Sequence, residues 1–220
     1  MKNYVNDMRD YFRGGTHQHY RKGQLVEVNS SLNEQTYYVS SGFMRLFASN
    51  NRGEQYTHII YGPGDIYPIS WMVDIPLRAV SADALTPVEL YSLPAADIAR
   101  QVQADINLAC GLLQQTIEQY RHYASRVDNL EFKYASERLG YRLLSLAHRF
   151  GEQSGTSVTI LPPLTHQIIG SSINLSRESV SREIKKLLRR DLIRYNAARQ
   201  IIIPDPQALA NYLQLPANID

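Results

Sequence analysis

Short apolar segments, separated by turn-forming residues, recur along the first 94 positions of the chain. Each segment is three to six residues long and rich in aromatic and β-branched side chains, a composition typical of β-strands. The predicted strands are residues 25–28, 37–39, 43–47, 56–61, 79–84 and 88–93. Short strands at regular spacing with turns between them indicate a closed or sandwiched antiparallel β unit.

The hydrophobic period changes between Ala95 and Asn129, where no proline interrupts the chain. Apolar or small residues recur there in alternating steps of four and three. They are Ile106, Cys110, Leu113, Ile117, Tyr120, Ala124 and Val127. A heptad spacing sustained over three repeats is typical of a helix paired with another helix, whereas a helix packed only on its own β unit has a wider apolar stripe. We therefore predict self-association through these seven residues, the dimer seam, with Cys110 as a small apolar member rather than a redox centre.

Two further helices with a turn between them are predicted after a helical stretch at 130–150 and a strand at 158–161. Thr165 caps the first helix, and Asn174, in a turn at 171–174, tolerates the left-handed conformation that such a turn requires. Ser176 caps the second helix, which we expect to continue to Leu188. Its inward face comprises Val180, Ile184, Leu187 and Leu188, and its outward face comprises Arg177, Glu178, Ser181, Arg182 and Lys185.

The outward residues of the second helix match the chemistry of a DNA major groove. An arginine donates two hydrogen bonds to guanine O6 and N7, and a carboxylate accepts one from cytosine N4. Capped helix ends and short serine hydroxyls bind phosphate oxygens. Two strands at 191–195 and 200–204, joined by a polar turn at 196–199, then form a β-hairpin wing. A wing after a helix–turn–helix pattern makes DNA binding the leading hypothesis.

Charge is distributed unevenly along the 220 residues of the chain. The formal net charge is only +2, but residues 177–194 contain seven basic and three acidic side chains, a local net charge of +4. A basic run of this kind is often a solvated helix face, and the helix–turn–helix pattern around it favours DNA as the partner instead.

Composition excludes several classes of protein. The single cysteine, Cys110, excludes an internal disulfide framework, a cysteine-based zinc ribbon and a four-cysteine iron–sulfur site. Because we find no secretory signal and no run of about 18 apolar residues, we expect a cytoplasmic protein without a membrane span. We find no paired nucleophile and base, no metal-spaced cluster and no glycine-rich phosphate loop, so we expect neither a metal site nor an enzyme. Tyrosine is in excess, with 15 Tyr against 5 Phe and 1 Trp.

The chain resembles the cyclic-AMP receptor protein/FNR family of bacterial transcription regulators. Its helix–turn–helix and wing agree with that family without a gap at Thr165-His166-Gln167, at Ser176–Arg182 and at Leu192-Ile193-Arg194. The resemblance extends upstream through Asn129–Phe132 with Arg138-Leu139, the turn Arg52-Gly53-Glu54 and the turn Gly62-Pro63-Gly64-Asp65. It covers nearly the whole chain and is weakest at the N-terminus.

The resemblance implies an α+β fold with three parts. Residues 1–100 would form a cyclic-nucleotide-binding-like β-roll (a jelly roll), 101–129 a long dimerisation helix and 130–220 a winged helix–turn–helix domain. It implies a homodimer on an inverted repeat of double-stranded DNA, with RNA polymerase as a partner if the protein is an activator. Arg177, Glu178 and Arg182 would read bases, with Ser181 beside them on the outward face. The predicted phosphate contacts are His166, Gln167, Ser176, Ser179 and Lys185.

The polar contacts through which members of this family bind cyclic AMP are largely missing. Ile69 stands where the family carries a ribose-binding glutamate, Ala79 stands where a serine follows the arginine at Arg78, and Tyr123-Ala124 replaces a Thr-Ser pair that faces the adenine. A buried ribose hydroxyl without a partner costs about 1–3 kcal/mol, so the sequence does not favour cyclic AMP as the effector. The predicted effector pocket, lined by Tyr67, Ile69, Trp71, Met72, Arg78 and Tyr123, suits an aromatic or acidic small molecule, or is a filled core.

No cofactor is predicted. The segment before Gln24 lacks the cysteine cluster of an iron–sulfur sensor. His17, His19 and His58 are available as axial ligands of a haem, but lone histidines in a β domain are more often surface or core residues. His17 and His19 could hold a metal ion if strand spacing put both rings on one face, but two ligands are too few for a closed site. Two alternatives stay open: a cyclic-nucleotide- or haem-responsive member of the same family, and a sensor module that acts on a protein partner.

Overall fold

The computed structural model of the chain describes residues 5–26, 34–69 and 80–215. Its internal contacts divide the chain into an N-terminal unit, Met1–His122, and a C-terminal unit, Tyr123–Asp220. The predicted domain boundaries after residues 100 and 129 stay a prediction.

Two four-stranded antiparallel sheets build the β part of the N-terminal unit. The first has the order β1 (Thr16–Tyr20), β8 (Val88–Pro94), β3 (Gln35–Ser41), β6 (Ile66–Tyr67). The second has the order β2 (Leu25–Val26), β7 (Ser81–Ala84), β4 (Met44–Ser49), β5 (Gln55–Tyr61). Side chains from both sheets share one buried hydrophobic cluster, which includes Val39, Met44, Val88 and Leu90. The predicted antiparallel β unit is therefore confirmed.

The predicted strands are confirmed at their positions, and the unit has two further strands, β1 and β6, that we did not predict. Residues 27, 28 and 79, which we predicted at strand ends, lie outside the described residues. Strand β1 was missed because its sequence, Thr-His-Gln-His-Tyr, has no apolar alternation, yet it pairs in register with β8 from Thr16 opposite Ser92 to Tyr20 opposite Val88. Strand β6 was missed because it is only two residues long.

Helices pack a second hydrophobic cluster onto the β-roll. A 3-10 helix at Val5–Phe12, helix α1 at Ala95–Ala104 and helix α2 at Ile106–Glu131 contribute to it. Its buried members are Met8, Phe12, Tyr38, Ile66, Ile98, Leu108 and Leu112. Asp105 separates α1 from α2, where its carboxylate accepts hydrogen bonds from the Asn107 backbone nitrogen at 2.8 Å and from the Tyr11 hydroxyl at 2.5 Å.

The C-terminal unit is a helical core with a small sheet. Its helices after α2 are α3 (Ala135–Phe150), α4 (His166–Ile173), α5 (Arg177–Arg189) and α6 (Pro206–Leu213). The sheet has the order β11 (Arg194–Tyr195), β12 (Ile201–Ile203), β10 (Ser157–Ile160), β9 (Gly151–Ser154). Helix α6 lies so close to α3 that a Cβ on Gly140 would come within 2.0 Å of Leu213 Cδ1. The predicted wing, β11 and β12, is confirmed.

Two predicted helix bounds in this unit were wrong, and two elements were missed. Helix α2 continues to Glu131 and the next helix begins only at Ala135, so the stretch 130–150 is not one helix. Helix α3 ends at Phe150, as predicted, but Gly151–Ser154, which we did not predict as a strand, pairs with β10 through a turn in which Gly155 has φ +62°. Helix α4 extends to Ile173 instead of ending before a turn at 171. Helix α6, which we did not predict, begins at Pro206 behind the capping carboxylate of Asp205.

Candidate nucleic-acid interface

Two side-chain caps and one left-handed residue fix the helix–turn–helix. The Thr165 hydroxyl accepts a hydrogen bond from the Ile168 nitrogen at 3.1 Å, and the Ser176 hydroxyl accepts one from the Ser179 nitrogen at 3.1 Å. Asn174 ends α4 with φ 54° and ψ 48°. All three features were predicted from the sequence, because Ser and Thr satisfy free backbone donors at helix starts and Asn tolerates the left-handed region.

Gly170 lets the chain turn tightly between α4 and α5. The Leu175 nitrogen donates a 3.0 Å hydrogen bond to the Gly170 carbonyl, and a Cβ on Gly170 would lie 2.4 Å from the Leu175 carbonyl oxygen. Because that oxygen belongs to the backbone, the turn itself would have to move to relieve the clash. The absence of a side chain at Gly170 therefore helps to set the orientation of α5 relative to α4.

Gly170→Ala is expected to lower the free energy of unfolding by about 1–3 kcal/mol, the usual cost of overpacking a tight contact. Urea denaturation followed by circular dichroism measures it. Gly14→Ala is the matched control, since a Cβ at Gly14 meets no atom within 4 Å. Equal stability of the Gly170→Ala variant and the native chain would show that residue 170 does not lie so close to the Leu175 carbonyl oxygen.

Helix α5 separates its apolar and polar residues clearly. Val180, Ile184 and Leu187 are buried, as predicted, whereas Leu188 is 36% exposed, so its assignment to the inward face was wrong. The opposite face carries a shallow depression lined by cationic and polar side chains. They are Arg177, Glu178, Ser181, Arg182, Lys185, Lys186 and Arg189. The structure thus brings all four predicted base-reading side chains and Lys185 together on one surface, which we call the α5 surface.

The first turn of α5 holds Arg182 over the helix start. The Arg182 guanidinium donates to the Ser179 hydroxyl at 3.4 Å, and that hydroxyl accepts a hydrogen bond from Ser176 at 3.1 Å. The two serines predicted as phosphate contacts therefore lie beside a predicted base reader. A free helix N-terminus with short hydroxyls binds phosphate oxygens well.

Glu183 is a buried carboxylate of α5, next to the α5 surface, that we did not predict. It is only 5% exposed, although it lies on the same helix as the exposed arginines. Its Oε1 pairs with Lys186 Nζ at 2.8 Å and lies 3.7 Å from Arg182 Nε. A glutamate three residues before a lysine on a helix is a sequence signal for this pair. Its burial follows from packing within the unit and has no such signal.

The start of α4 adds His166 and Gln167 to the polar surface. Gln167 is exposed, and His166 Nε2 lies 3.4 Å from the Tyr195 hydroxyl on β11. Burial lowers the pKa of His166 below its ordinary value of 6.5, and the positive charges of Arg177 and Lys185 lower it further. Burial and the charges of Arg177 and Lys185 therefore both disfavour the protonated form of His166.

DNA affinity is expected to rise as the pH falls through the lowered pKa of His166, because a protonated imidazole adds a cation beside the phosphates. Folding stability should change in the opposite direction. The unfolded chain, with a His pKa of about 6.5, binds more protons in this window, so the contribution of His166 is complete above that pH and is lost below it.

Fluorescence anisotropy titrations between about pH 5 and 8, at constant salt, measure this pH dependence. His166→Gln should flatten it, and His148→Gln, an exposed position on α3, is the control that should retain it. An unchanged pH dependence in His166→Gln would exclude His166 from the interface.

Helix α2 has two different faces in its N-terminal half. Leu108 and Leu112 are buried in the cluster with the β-roll, and buried Gln115 donates a 3.2 Å hydrogen bond to Asp65 Oδ1. The dimer seam lies elsewhere on the helix, with Ile106 74% and Tyr120 71% exposed. Leu113, Ile117 and Val127 are also exposed, and Cys110 and Ala124 are half-buried. The helix therefore packs on its own β unit and still presents the seam.

The predicted effector-pocket residues are only partly described by the structure. Tyr67 is buried on β6, and Ile69 packs against the cluster that contains Phe12 and Leu108. Tyr123 is partly exposed in the C-terminal unit. Trp71, Met72 and Arg78 lie outside the described residues, so the pocket stays a prediction.

The histidines considered for haem or metal lie on two strands. His17 and His19 share the exposed face of β1, where the His17 ring lies 4.9 Å from the Tyr91 ring and its Nε2 lies 3.8 Å from Glu89 Oε2. His58 lies on β5. Across residues 5–26, 34–69 and 80–215, no group of three or more His, Cys, Asp or Glu side chains is placed to hold a metal ion.

Each of the two units contains a segment that matches a known protein-family model. A model of the cyclic nucleotide-binding domain matches residues 17–105, and a model of the Crp-like helix-turn-helix domain matches residues 137–212. This chain belongs to the cyclic-AMP receptor protein/FNR family. The predicted family, the fold class and the prediction of a DNA-binding transcription regulator rather than an enzyme are therefore confirmed.

Members of the family resemble this chain over most of its length. The CRP-like cAMP-activated global transcriptional regulator of Mycobacterium tuberculosis is 24% identical over 189 residues, which cover 86% of this chain and 84% of that protein. The cyclic AMP receptor protein of Thermus thermophilus is 26% identical over 175 residues, 80% of this chain and 78% of that protein. The structure of FixK2 from Bradyrhizobium japonicum has the same fold, with a TM-score of 0.75, 24% identity and coverage of 90% and 96%.

Family regulators bind DNA as dimers. Of the helices that the structure describes here, none is both long and apolar enough to cross a membrane.

Proposed function

We propose that this protein regulates transcription as a homodimer that reads an inverted-repeat DNA site with the α5 surface. Arg177, Glu178, Ser181 and Arg182 contact base edges in the major groove. The observation that carries the proposal is their common placement in the first two turns of α5, on the face opposite the buried Val180, Ile184 and Leu187. The N-terminal residues of a recognition helix are the ones that reach base edges when it lies in the groove.

In this proposal the residues that contact phosphates lie around the base-reading residues of the α5 surface. His166 and Gln167 lie at the start of α4, and Ser176 and Ser179 lie at the start of α5, so both helix N-termini carry polar side chains that can donate hydrogen bonds. Lys185 lies one turn beyond Ser181 on the same surface. Contacts of this kind set the position of the protein on the duplex, and base contacts set the sequence.

The exposed dimer seam supports the two-fold symmetry of the proposal. Seven residues at heptad spacing on a 26-residue helix present a continuous apolar strip. A two-fold dimer through this strip would place two copies of α5 on two half-sites, which are read as an inverted repeat. In this role the protein acts in the cytoplasm on chromosomal DNA, and an activating role would require contact with RNA polymerase.

Selection from a random duplex library tests this function. The expected result is an inverted repeat with half-site centres about 10 base pairs, or a multiple of one helical turn, apart. The triple variant Arg177→Ala, Glu178→Ala, Arg182→Ala should fold and enrich no sequence, because these exposed side chains do not support the core. Enrichment of the same sequences by the triple variant would contradict the assignment of base contacts to α5.

We also propose that cyclic AMP is not the effector, although two relatives are described by name as cAMP-activated or as a cyclic AMP receptor. Ile69 is used in the packing of the N-terminal unit, where it contacts the Phe12 cluster, and an isoleucine offers ribose hydroxyls no acceptor. Each buried hydroxyl left without a partner costs about 1–3 kcal/mol. Titration calorimetry with cyclic AMP should show no binding in the micromolar range, and micromolar affinity would overturn this part of the proposal.

A further inference from the structure

A cleft of about 330 Å³ lies between the N-terminal 3-10 helix and strand β8. The described residues that line it are Arg9, Arg13 and Tyr91, and we call it the N-terminal cleft. None of these three residues belongs to the α5 surface, the dimer seam or the predicted effector pocket. Small-molecule sites in proteins usually measure about 300–1,000 Å³, so the N-terminal cleft has the size of a site for a small ligand.

The two arginines of the cleft are exposed side chains on a well-anchored segment. Each directly follows a fully buried apolar residue, since Arg9 follows Met8 and Arg13 follows Phe12. Met8 and Phe12 both belong to the hydrophobic cluster that packs the 3-10 helix onto the β-roll. The Phe12 ring also stacks on Tyr38 of β3, with ring centres 5.6 Å apart. The arginines are therefore held at the surface by the residues beside them.

Gly15 holds the chain after Arg13 against β8. Its nitrogen donates a 2.9 Å hydrogen bond to the Phe12 carbonyl, and a Cβ at this position would lie 2.5 Å from the Ser92 carbonyl oxygen. Because Ser92 follows Tyr91 on β8, this close approach places the end of the 3-10 helix beside the strand that carries the tyrosine. The position of the arginines relative to Tyr91 is thus set by backbone packing.

Tyr91 provides a supported aromatic surface for the cleft. It pairs across the sheet with His17 on β1 and with Tyr38 on β3. Its ring lies 4.9 Å from the His17 ring and packs against the hydrophobic cluster, so the side chain is half-buried. Glu89, two residues earlier on β8, lies 3.8 Å from His17 Nε2 and does not line the cleft.

The polar groups of the cleft have spare hydrogen-bonding capacity. Within the described part of the chain, neither the Arg9 guanidinium nor the Tyr91 hydroxyl makes a hydrogen bond, and no carboxylate pairs with Arg9. Arg13 Nη2 lies 2.8 Å from Asp10 Oδ1, in an ion pair whose two side chains are 75% and 64% exposed. Such an exposed pair contributes little to stability. Two arginines and one aspartate leave a net charge of +1 at the cleft.

These groups fit one kind of ligand. A guanidinium donates parallel hydrogen bonds to both oxygens of a carboxylate, and the ring of a tyrosine packs well against another aromatic ring. A net charge of +1 is compensated by a singly charged anion. The two requirements, a carboxylate and a flat apolar body, are met together by a small aromatic acid.

We propose that the N-terminal cleft binds a small aromatic monocarboxylate. Arg9 and Arg13 bind the carboxylate, and the aromatic ring of the ligand packs on Tyr91. The Tyr91 hydroxyl donates a further hydrogen bond to a polar substituent where the ligand has one. The ligand thereby connects the 3-10 helix to β8 from the outside of the sheet.

The hydrophobic cluster links this cleft to helix α2. Phe12 and Tyr91 contact the same cluster as Leu108 and Leu112, which are the buried residues of α2 in its N-terminal half. The dimer seam begins on the same part of that helix, at Ile106 and Leu113. A ligand that fixes the 3-10 helix on β8 therefore stabilises the support of the seam and strengthens the dimer. This consequence rests on the proposed function, whereas ligand binding itself does not.

Titration calorimetry of the full chain with benzoate, against chloride at equal ionic strength, tests the cleft. We expect one saturable site per chain, weakened at least about tenfold in Arg9→Gln and about threefold in Tyr91→Leu. The control Arg52→Gln removes an equal charge from the exposed β4–β5 turn and should bind as the native chain does. If Tyr91→Leu does not fold, Arg9→Gln, at an exposed position, decides the result.

Two further probes define the class of ligand. Benzamide has the ring without the charge, and inorganic phosphate has charge without the ring, so each should bind at least about tenfold more weakly than benzoate. Stronger binding of phosphate would overturn the assignment to aromatic carboxylates. Benzoate binding that is absent, or equal in the native chain and both cleft variants, would overturn the proposal, and equal binding would place the ligand elsewhere on the chain.

Analytical ultracentrifugation with and without benzoate, at equal ionic strength, tests the link to α2. The dissociation constant of the native dimer should fall about fivefold with benzoate, a typical coupling between two sites, and that of Arg9→Gln should not change. Benzoate binding in calorimetry with an unchanged dimer would overturn the connection through the hydrophobic cluster and leave the cleft intact. A chain that is monomeric under both conditions would overturn the proposed function instead.

Discussion

Replacing Ile117 by glutamate is expected to convert the protein to monomers and to weaken its binding to an inverted-repeat site by at least about a hundredfold. Ile117 lies at the centre of the dimer seam, between Leu113 and Tyr120, and is 49% exposed. In a two-fold dimer the two copies of residue 117 approach each other, so two carboxylates would meet where two isoleucines pack. Burying them unpaired costs more than the lost apolar contact alone.

The affinity for DNA falls because the two recognition helices are no longer joined in one dimer. Two recognition helices in one dimer bind two half-sites at a high effective concentration, and monomers bind each half-site alone. Analytical ultracentrifugation gives the association state, and anisotropy gives the affinity for whole and half-sites. Thr116→Glu, which adds the same charge at an exposed position beside the seam, is the control that should remain dimeric. A dimeric Ile117→Glu variant with native affinity would show that the seam is not the interface.

Replacing Arg182 by alanine is expected to cost about 1–3 kcal/mol per half-site, about 5- to 150-fold in affinity, and to relax the base preference at one position. Its side chain is 66% exposed, and its contacts with the described residues Ser179, at 3.4 Å, and Glu183, at 3.7 Å, are long enough to be exchanged for a guanine edge. The alanine variant should fold normally, because those contacts do not support the core.

Lys185→Ala distinguishes a base contact from a phosphate contact. It should weaken binding to all sequences alike and reduce the slope of log affinity against log salt by about one per protomer. Competition titrations with single-base variants of the site, at three salt concentrations, separate the two effects. An Arg182→Ala variant that binds every variant site as the native chain does would place Arg182 outside the groove.

Local chemistry explains which elements could be predicted from the sequence. The caps at Thr165 and Ser176 and the left-handed Asn174 depend on residues within four positions of one another, so their side chains alone predict them. The heptad of the dimer seam is a pattern along one helix and was visible for the same reason. Strand β1 was missed because its place at the sheet edge depends on pairing with β8, whose paired residues lie 68 to 76 positions away in the sequence.

Burial of charged residues could not be predicted in the same way. Glu183 and Arg142 are both nearly inaccessible, and nothing in their neighbouring residues distinguishes them from the exposed Glu178 and Arg182. Leu188 is the converse case, since the helical period placed it inward but its side chain is 36% exposed. Each of these positions is decided by which helix packs against which face, and the hydrophobic pattern of one helix does not contain that information.

Glu183 has a consequence for how the protein responds to salt. A protein releases about one condensed counterion from DNA for each phosphate that a cation neutralises, and this release sets the salt dependence of binding. Lys186 is already paired with Glu183 at 2.8 Å, and Arg194 with Asp191 at 2.5 Å, so these two cations displace few ions from the duplex. The segment 177–194 therefore behaves as a weaker polycation than its seven basic residues suggest, and the complex should persist at salt concentrations that would dissociate a purely electrostatic one.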